Sequence, residues 1–288
     1  MKPHAFTLTE LIVSLCVVLV LSEFTLLAAA RLDGRRERIK CASNLRQIGQ
    51  ALLLYSNDNR GPYPRTKYDM DKADHPTFFT GIDNKDPFAK ECPQVNDVSA
   101  ALFLLLRTED ITSQVFLCPS SDALADKFGG GRHTALDQSN FSSPDNLSYS
   151  YADPYPARDA VGKGYKLVQG LDPNFAVAAD INPGGDSLTK LTVNSTAADL
   201  RSGNSPNHHG DGQNVLFGDG HVEFQNNPFC GAHRDNIYTY GDSGLDPITN
   251  APRPTGGAGI IGSPIGPDDS VLLPTAAEKE DQGQGPSN

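Results

Sequence analysis

No two cysteines of this chain stand in a C-x-x-C spacing, which removes zinc-ribbon and thioredoxin-type chemistry. No serine stands in a G-x-S-x-G frame, so Ser120-Ser121-Asp122 does not read as a nucleophile elbow. Gly129-Gly130-Gly131 has no Lys-Ser or Lys-Thr behind it and reads as a flexible loop, not a phosphate cradle. Basic charge is scarce. Against 35 Asp and Glu there are 24 Lys and Arg, a net charge of −11. No basic patch with interleaved aromatics offsets this, and nucleic acid is not expected as a partner. Apolar residues make up only 38% of 288, while 27 Gly and 21 Pro imply many turns. The soluble core should be small and loop-rich.

Much of the apolar content is spent at the N-terminus. Lys2 and His4 lead to Ala5-Phe6, and then to a continuous apolar stretch interrupted near its start by Glu10. As a helix, Phe6 to Ala30 spans about 37 Å, enough to cross a bilayer with some tilt. A carboxylate at such a place costs free energy and is retained for a partner. A cleaved signal peptide would use Leu11 to Leu21 and Ala28-Ala29-Ala30. A lipoprotein signal is rejected, because Leu15, not a small residue, precedes Cys16. Arg31, Arg35, Arg36, Arg38 and Lys40 flank the stretch downstream, a bias that taken alone favours the opposite orientation to a cytoplasmic N-terminus.

Beyond the stretch, Cys41, Leu45, Ile48, Leu52 and Tyr55 recur at helical spacing, so one helix should run from Phe6 to about Tyr55 and stop at Asn57–Pro62. Gly34 is a place where it could bend. Residues 62–96 read as an irregular insertion, and Asp97 as the N-cap of a helix over Val98–Arg107. Val115–Cys118, Leu147–Ala152 and Phe175–Ala179 read as strands. Gln213–Gln225 reads as a hairpin with Asp219-Gly220 as a two-residue type I′ turn, which sets Phe217 opposite Val222 and Val215 opposite Phe224. From about Asp246 the Pro/Gly-rich chain should be mobile, with VLLP at 271–274 an apolar island able to dock.

Cys16 lies in the apolar helix. Cys41, Cys92, Cys118 and Cys230 are disulfide candidates in an oxidising compartment, and spacing does not choose their pairing. The alternative is separate buried thiols. His208-His209-Gly210-Asp211, with Asp219, His221, His233 and Asp235, contains metal-ligating residue types. A secreted or membrane-tethered metal-dependent enzyme using His208, His209, Asp211 and His221 is therefore one alternative function, and a tethered surface-binding module is another. The same residues serve equally as turn and strand-face hydrogen bonders. Asp242 and Asp246 are the only calcium candidates, and an acidic turn explains them too.

Phe6-Thr7-Leu8-Thr9-Glu10 resembles the processing motif of type IV pilins and type II secretion pseudopilins. Ala5 stands where that family normally has Gly. Three further segments resemble one prepilin-type, processing-associated group: Cys41–Leu52, Phe116-Leu117-Cys118-Pro119-Ser120, and His209 followed after nine residues by Asp219-Gly220, its H-x9-DG signature. The resemblance implies cleavage between Ala5 and Phe6 by a prepilin peptidase, N-methylation of Phe6, and pairing of Glu10 with the Phe6 amine of a neighbouring pilin or pseudopilin subunit. It implies an anchor in the bacterial inner membrane, single-pass in the bilayer, with a cytoplasmic N-terminus and a periplasmic head. It transfers no catalytic residue, and the chain is read as a structural subunit, not an enzyme, with no cofactor beyond the calcium candidates. His209 should anchor its loop on the hairpin against Asp219. The expected fold is α+β and pilin-like: a long N-terminal helix, transmembrane then amphipathic, packed on a small antiparallel-sheet head. The expected divisions are a leader 1–5, membrane helix 6–30, amphipathic helix 31–56, head 57–245 and mobile tail 246–288.

Overall fold

A computed structural model describes residues 7–81, 89 and 91–276, with residues 24–33 described as backbone only. The cleavage site between Ala5 and Phe6 lies outside the described residues. Helix α1 runs unbroken over Leu8–Asp58, 51 residues, and Gly34 does not interrupt it. At about 1.5 Å per residue it is about 76 Å long. Its start is a capping box: Thr7 Oγ1 accepts from Glu10 N at 3.3 Å, and Thr7 N donates to Glu10 Oε2 at 2.9 Å.

The two halves of α1 differ in what they touch. Every residue from Thr7 to Glu23 is exposed. From Cys41 onward the expected face is buried, with Cys41, Leu45, Ile48 and Leu52 at most 1% accessible and Tyr55 packed against the core. Burial of each such aliphatic side chain stabilises by about 1.5–3 kcal/mol, so this half is held by tertiary packing. Among the described residues no helix is long and apolar enough to cross a membrane.

The head is α+β. Five antiparallel strands, β1 (Tyr149–Ala152), β2 (Ala176–Asp180), β3 (Gln213–Phe217), β4 (Val222–Gln225) and β5 (Leu272–Leu273), lie in the order β4-β3-β2-β1-β5. β2, Ala-Val-Ala-Ala-Asp, is buried at all five positions, so both faces of the sheet centre are covered. α1 lies against β3, and Gly49 permits the approach: a Cβ there would fall 2.9 Å from Leu216 Cδ1. Helix α2 (Val98–Thr108) packs on α1 and β1. Asp97 caps it as expected, accepting from Ala100 N at 2.8 Å.

Three expectations are corrected. Val115–Cys118 is not a strand. Ser113–Phe116 is a 3₁₀ turn, and the Leu117 carbonyl is taken by the side chains of Asn44 and Tyr149, not by a ladder. The hairpin exists, but its loop has three residues: Phe217 N donates to His221 O, Gly220 N donates to Phe217 O, and Gly220 has φ +87°. Leu216 therefore faces Val222 and Asn214 faces Phe224, one residue out of the expected register, which exchanges the faces of the pairing. Finally, over the described residues 247–276 the chain beyond Asp246 folds back onto the head. Val271, Leu272 and Leu273 are fully buried, and β5 is the sheet's edge beside β1, so the head continues to Ala276.

Candidate functional site

Two features stand out: the exposed apolar half of α1 and a buried polar cluster beneath its packed half. On the first, Leu8, Leu11, Ile12, Val13, Leu15 and Val17–Leu21 are each more than half exposed. A largely apolar exposed surface of this length marks a place where a protein meets lipid or another chain. Glu10, expected to pair with a neighbouring subunit, is engaged within its own chain by the Thr7 amide and hydroxyl at 2.9 and 2.8 Å.

The cluster brings together Cys41 of α1, Cys118 after the 3₁₀ turn, Asp180 at the end of β2 and His208 from the loop before β3. All four are buried, and their ligating atoms lie within 4.8 Å of one another. Cys41 Sγ donates to Asp180 Oδ1 at 2.9 Å. His208 Nε2 lies 3.3 Å from Asp180 Oδ2 and 3.5 Å from Cys118 Sγ, while its Nδ1 meets Ser120 Oγ at 2.7 Å. Around them, Asn207 Nδ2 and Asn214 N donate to Asp180 at 3.0 and 2.7 Å, and Tyr149 OH donates to Cys41 Sγ at 3.4 Å.

The local backbone explains how one histidine enters and the next does not. His208 and His209 are both left-handed, with φ +54° and +59°. Two such non-glycine residues cost of order 1–3 kcal/mol each and persist where the surroundings enforce them. The turn sends His208 inward, 3% exposed, and leaves His209 outside. His209 thus does not anchor the hairpin on Asp219. Asp219 Oδ1 instead accepts from His221 N at 3.0 Å and meets its Nδ1 at 2.5 Å.

Charge in the cluster follows from these contacts. Burial works against ionisation of Asp180, but His208, Cys41 and Asn207 outweigh it and hold the carboxyl below its usual range. Burial likewise opposes charge on His208, yet Asp180 and Cys118 lift it to about 10. The Cys41 hydrogen bond, and behind it the one from His208, brings Cys118 down to about 7 against the pull of burial. Burial first, then Cys118 and Asp180, drives Cys41 well above the thiol range. At neutral pH the site holds an imidazolium–carboxylate pair, one thiol and one partly ionised thiolate.

Of the four residues first considered for a metal-dependent enzyme, only His208 is here. Asp211 pairs at the surface with Arg38 at 2.8 Å and Arg201 at 2.5 Å, His209 is exposed, and His221 pairs with Asp219. Further on, His233 lies 3.7 Å from Asp268 at the surface, and Asp235 is buried elsewhere. Asp242 and Asp246 share Arg253, at 2.7 and 3.7 Å, so a guanidinium already occupies the place of a cation between them. All five cysteines are free: no disulfide joins Cys41, Cys92, Cys118 and Cys230. Asp180 was not singled out from sequence. Its only signal is a carboxylate closing an otherwise apolar strand, Phe175–Ala179. Comparison with family models, curated proteins and solved structures returned no match to this chain.

Proposed function

We propose that this chain is a pseudopilin-like, membrane-anchored structural subunit of a type II secretion or type IV pilus-like assembly. The observation that carries the reading is the division of labour along α1. One continuous helix presents ten large apolar residues to its surroundings over Leu8–Leu21 and buries Cys41, Leu45, Ile48 and Leu52 in the head. Such a rod joins a lipid or filament core to a soluble head without a flexible joint. Arg38, one of the basic residues after the apolar stretch, supports this junction: its guanidinium stacks over Phe224 at 4.3 Å while pairing with Asp211. It is thereby a packing residue of the head, which weakens its value as a topological signal.

In this reading the prepilin peptidase cuts between Ala5 and Phe6 on the cytoplasmic face, and the head lies in the periplasm. Glu10 exchanges its own Thr7 contacts for the Phe6 amine of a neighbour on assembly. A buried ion pair of this kind fixes register more than it stabilises. N-terminal mass spectrometry of the protein from its native membrane tests the proposal. A chain beginning at N-methylated Phe6 supports it; an intact Met1, or cleavage after Ala30, refutes it.

A further inference from the structure

The buried cluster is more than a packing solution. We propose that Cys41, Cys118, Asp180 and His208 form a structural site for a zinc-class divalent ion that ties α1 to the sheet. A tetrahedral zinc with sulfur at about 2.3 Å and nitrogen or oxygen at about 2.0–2.1 Å has ligand–ligand edges of roughly 3.3–3.8 Å. His208 Nε2 stands 3.5 Å from Cys118 Sγ and 3.3 Å from Asp180 Oδ2, and Cys41 Sγ stands 2.9 Å from Asp180 Oδ1. All four ligating atoms fall within 4.8 Å. Small shifts complete the tetrahedron. Two sulfurs, an imidazole and a carboxylate are a donor set that suits zinc over magnesium or calcium.

The surroundings are those a metal site requires. Ser120 Oγ at 2.7 Å from Nδ1 can hold that proton and leave Nε2 to the metal. Asn207 and Asn214 fix the Asp180 carboxylate, and Tyr149 steadies the Cys41 sulfur. The strained left-handed backbone at His208 is what aims the ring inward. Four protein ligands, all buried, leave no open coordination position, so the site is structural and not catalytic. Binding displaces the thiol protons and the Nε2 proton, and no redox step is involved. The ligands come from positions 41, 118, 180 and 208, so one ion would clamp the helix, the loop after the 3₁₀ turn, β2 and the β3 approach. This inference does not depend on the pseudopilin reading.

The test uses the full chain, reduced and purified in detergent. Cobalt(II) is added alone and its visible spectrum recorded, then zinc is titrated in competition. One cobalt per chain with a thiolate-to-cobalt charge-transfer band, displaced by one zinc, supports the site. The band must survive in the Cys16→Ser/Cys92→Ser/Cys230→Ser variant, which keeps only the cluster sulfurs. Exposed His209 and His221 give no sulfur band and so cannot mimic the result. Ser120→Ala keeps every ligand and should weaken zinc binding by about 10–100-fold. Absence of the band from the fully reduced protein overturns the proposal. Loss of the band in the triple variant overturns it equally.

Discussion

Raising the pH from about 5 to about 7.5 should destabilise the head through Asp269. This carboxyl is 6% exposed, its Oδ2 accepts from Gly241 N and Ile265 N at 2.9 and 2.8 Å, and its Oδ1 has no partner. Burial pushes it up to about 7, only partly countered by those two amides and by Lys163. A carboxyl whose folded value lies above its unfolded one contributes stability that is complete below about 3.8 and is lost as pH rises through about 7. At about 1.4 kcal/mol per unit the full effect is roughly 4 kcal/mol, of which about 2–3 falls between pH 5 and 7.5. Asp235 and Asp153 are buried close by and raised well above their usual range, by burial first and then by Asp269, so they lose stability over the same window and steepen the fall.

Thermal unfolding of the full chain in detergent, followed by circular dichroism, reads this directly. For a chain of this size about 2–3 kcal/mol corresponds to a fall of roughly 5–10 °C in midpoint. Asp269→Asn keeps an oxygen for the two amides and removes that titration, so its midpoint should fall less steeply than the wild type's by about this share, Asp235 and Asp153 keeping a slope of their own. Cys118 works in the opposite sense, since a lowered thiol contributes stability that is lost as pH falls through about 7; the comparison with Asp269→Asn cancels it. A wild-type midpoint that rises with pH, or an Asp269→Asn midpoint that falls as steeply as the wild type, would refute the reasoning.

Two further perturbations follow from the packing. Asp180→Ala, measured in metal-free reducing buffer, strands His208 and the donors Cys41, Asn207 and Asn214 in the interior and should cost about 3–5 kcal/mol in urea unfolding, whereas Glu223→Ala on the exposed face should cost under about 0.5; a cost below about 1 kcal/mol for Asp180→Ala would mean that the network is not strongly coupled to folding. Gly212→Ala places a methyl 2.2 Å from the Gln225 carbonyl oxygen and against the Phe224 ring, so it should open the β3–β4 pairing at the Gln213–Gln225 end, costing at least about 2 kcal/mol and exposing the Gln213 amide to faster hydrogen exchange, while the Asn214 amide stays on Asp180.

What the sequence made legible is what short-range periodicity encodes. The face of Cys41, Leu45, Ile48 and Leu52 follows from residues three and four apart, and the Asp97 cap from its neighbours. The hairpin's existence was legible for the same reason, but its register was not. Asp219-Gly220 suits a two-residue loop as well as a three-residue one, and the choice is made elsewhere in the chain. Gly218 N donates to the Phe175 carbonyl at 2.9 Å, and a Cβ on Gly218 would lie 2.3 Å from the Asp172 carbonyl oxygen. Contact with the 171–175 loop draws Gly218 into the turn and slips the pairing by one. The cluster is the extreme of this effect. Each of the three residues with a local signal, Cys41, Cys118 and His208, has a bland reading alone, and Asp180 has almost none. The spacing between Cys41 and His208 is 167 residues, 208 minus 41, so no sequence window contains the site. Even within the H-x9-DG segment the informative histidine is the residue before the signature. His208 and His209 differ by one position and share a left-handed backbone, yet the turn buries one and exposes the other. A one-residue choice of this kind is set by what receives the side chain, here Asp180, Cys118 and Ser120, and these meet only once the sheet has formed against α1.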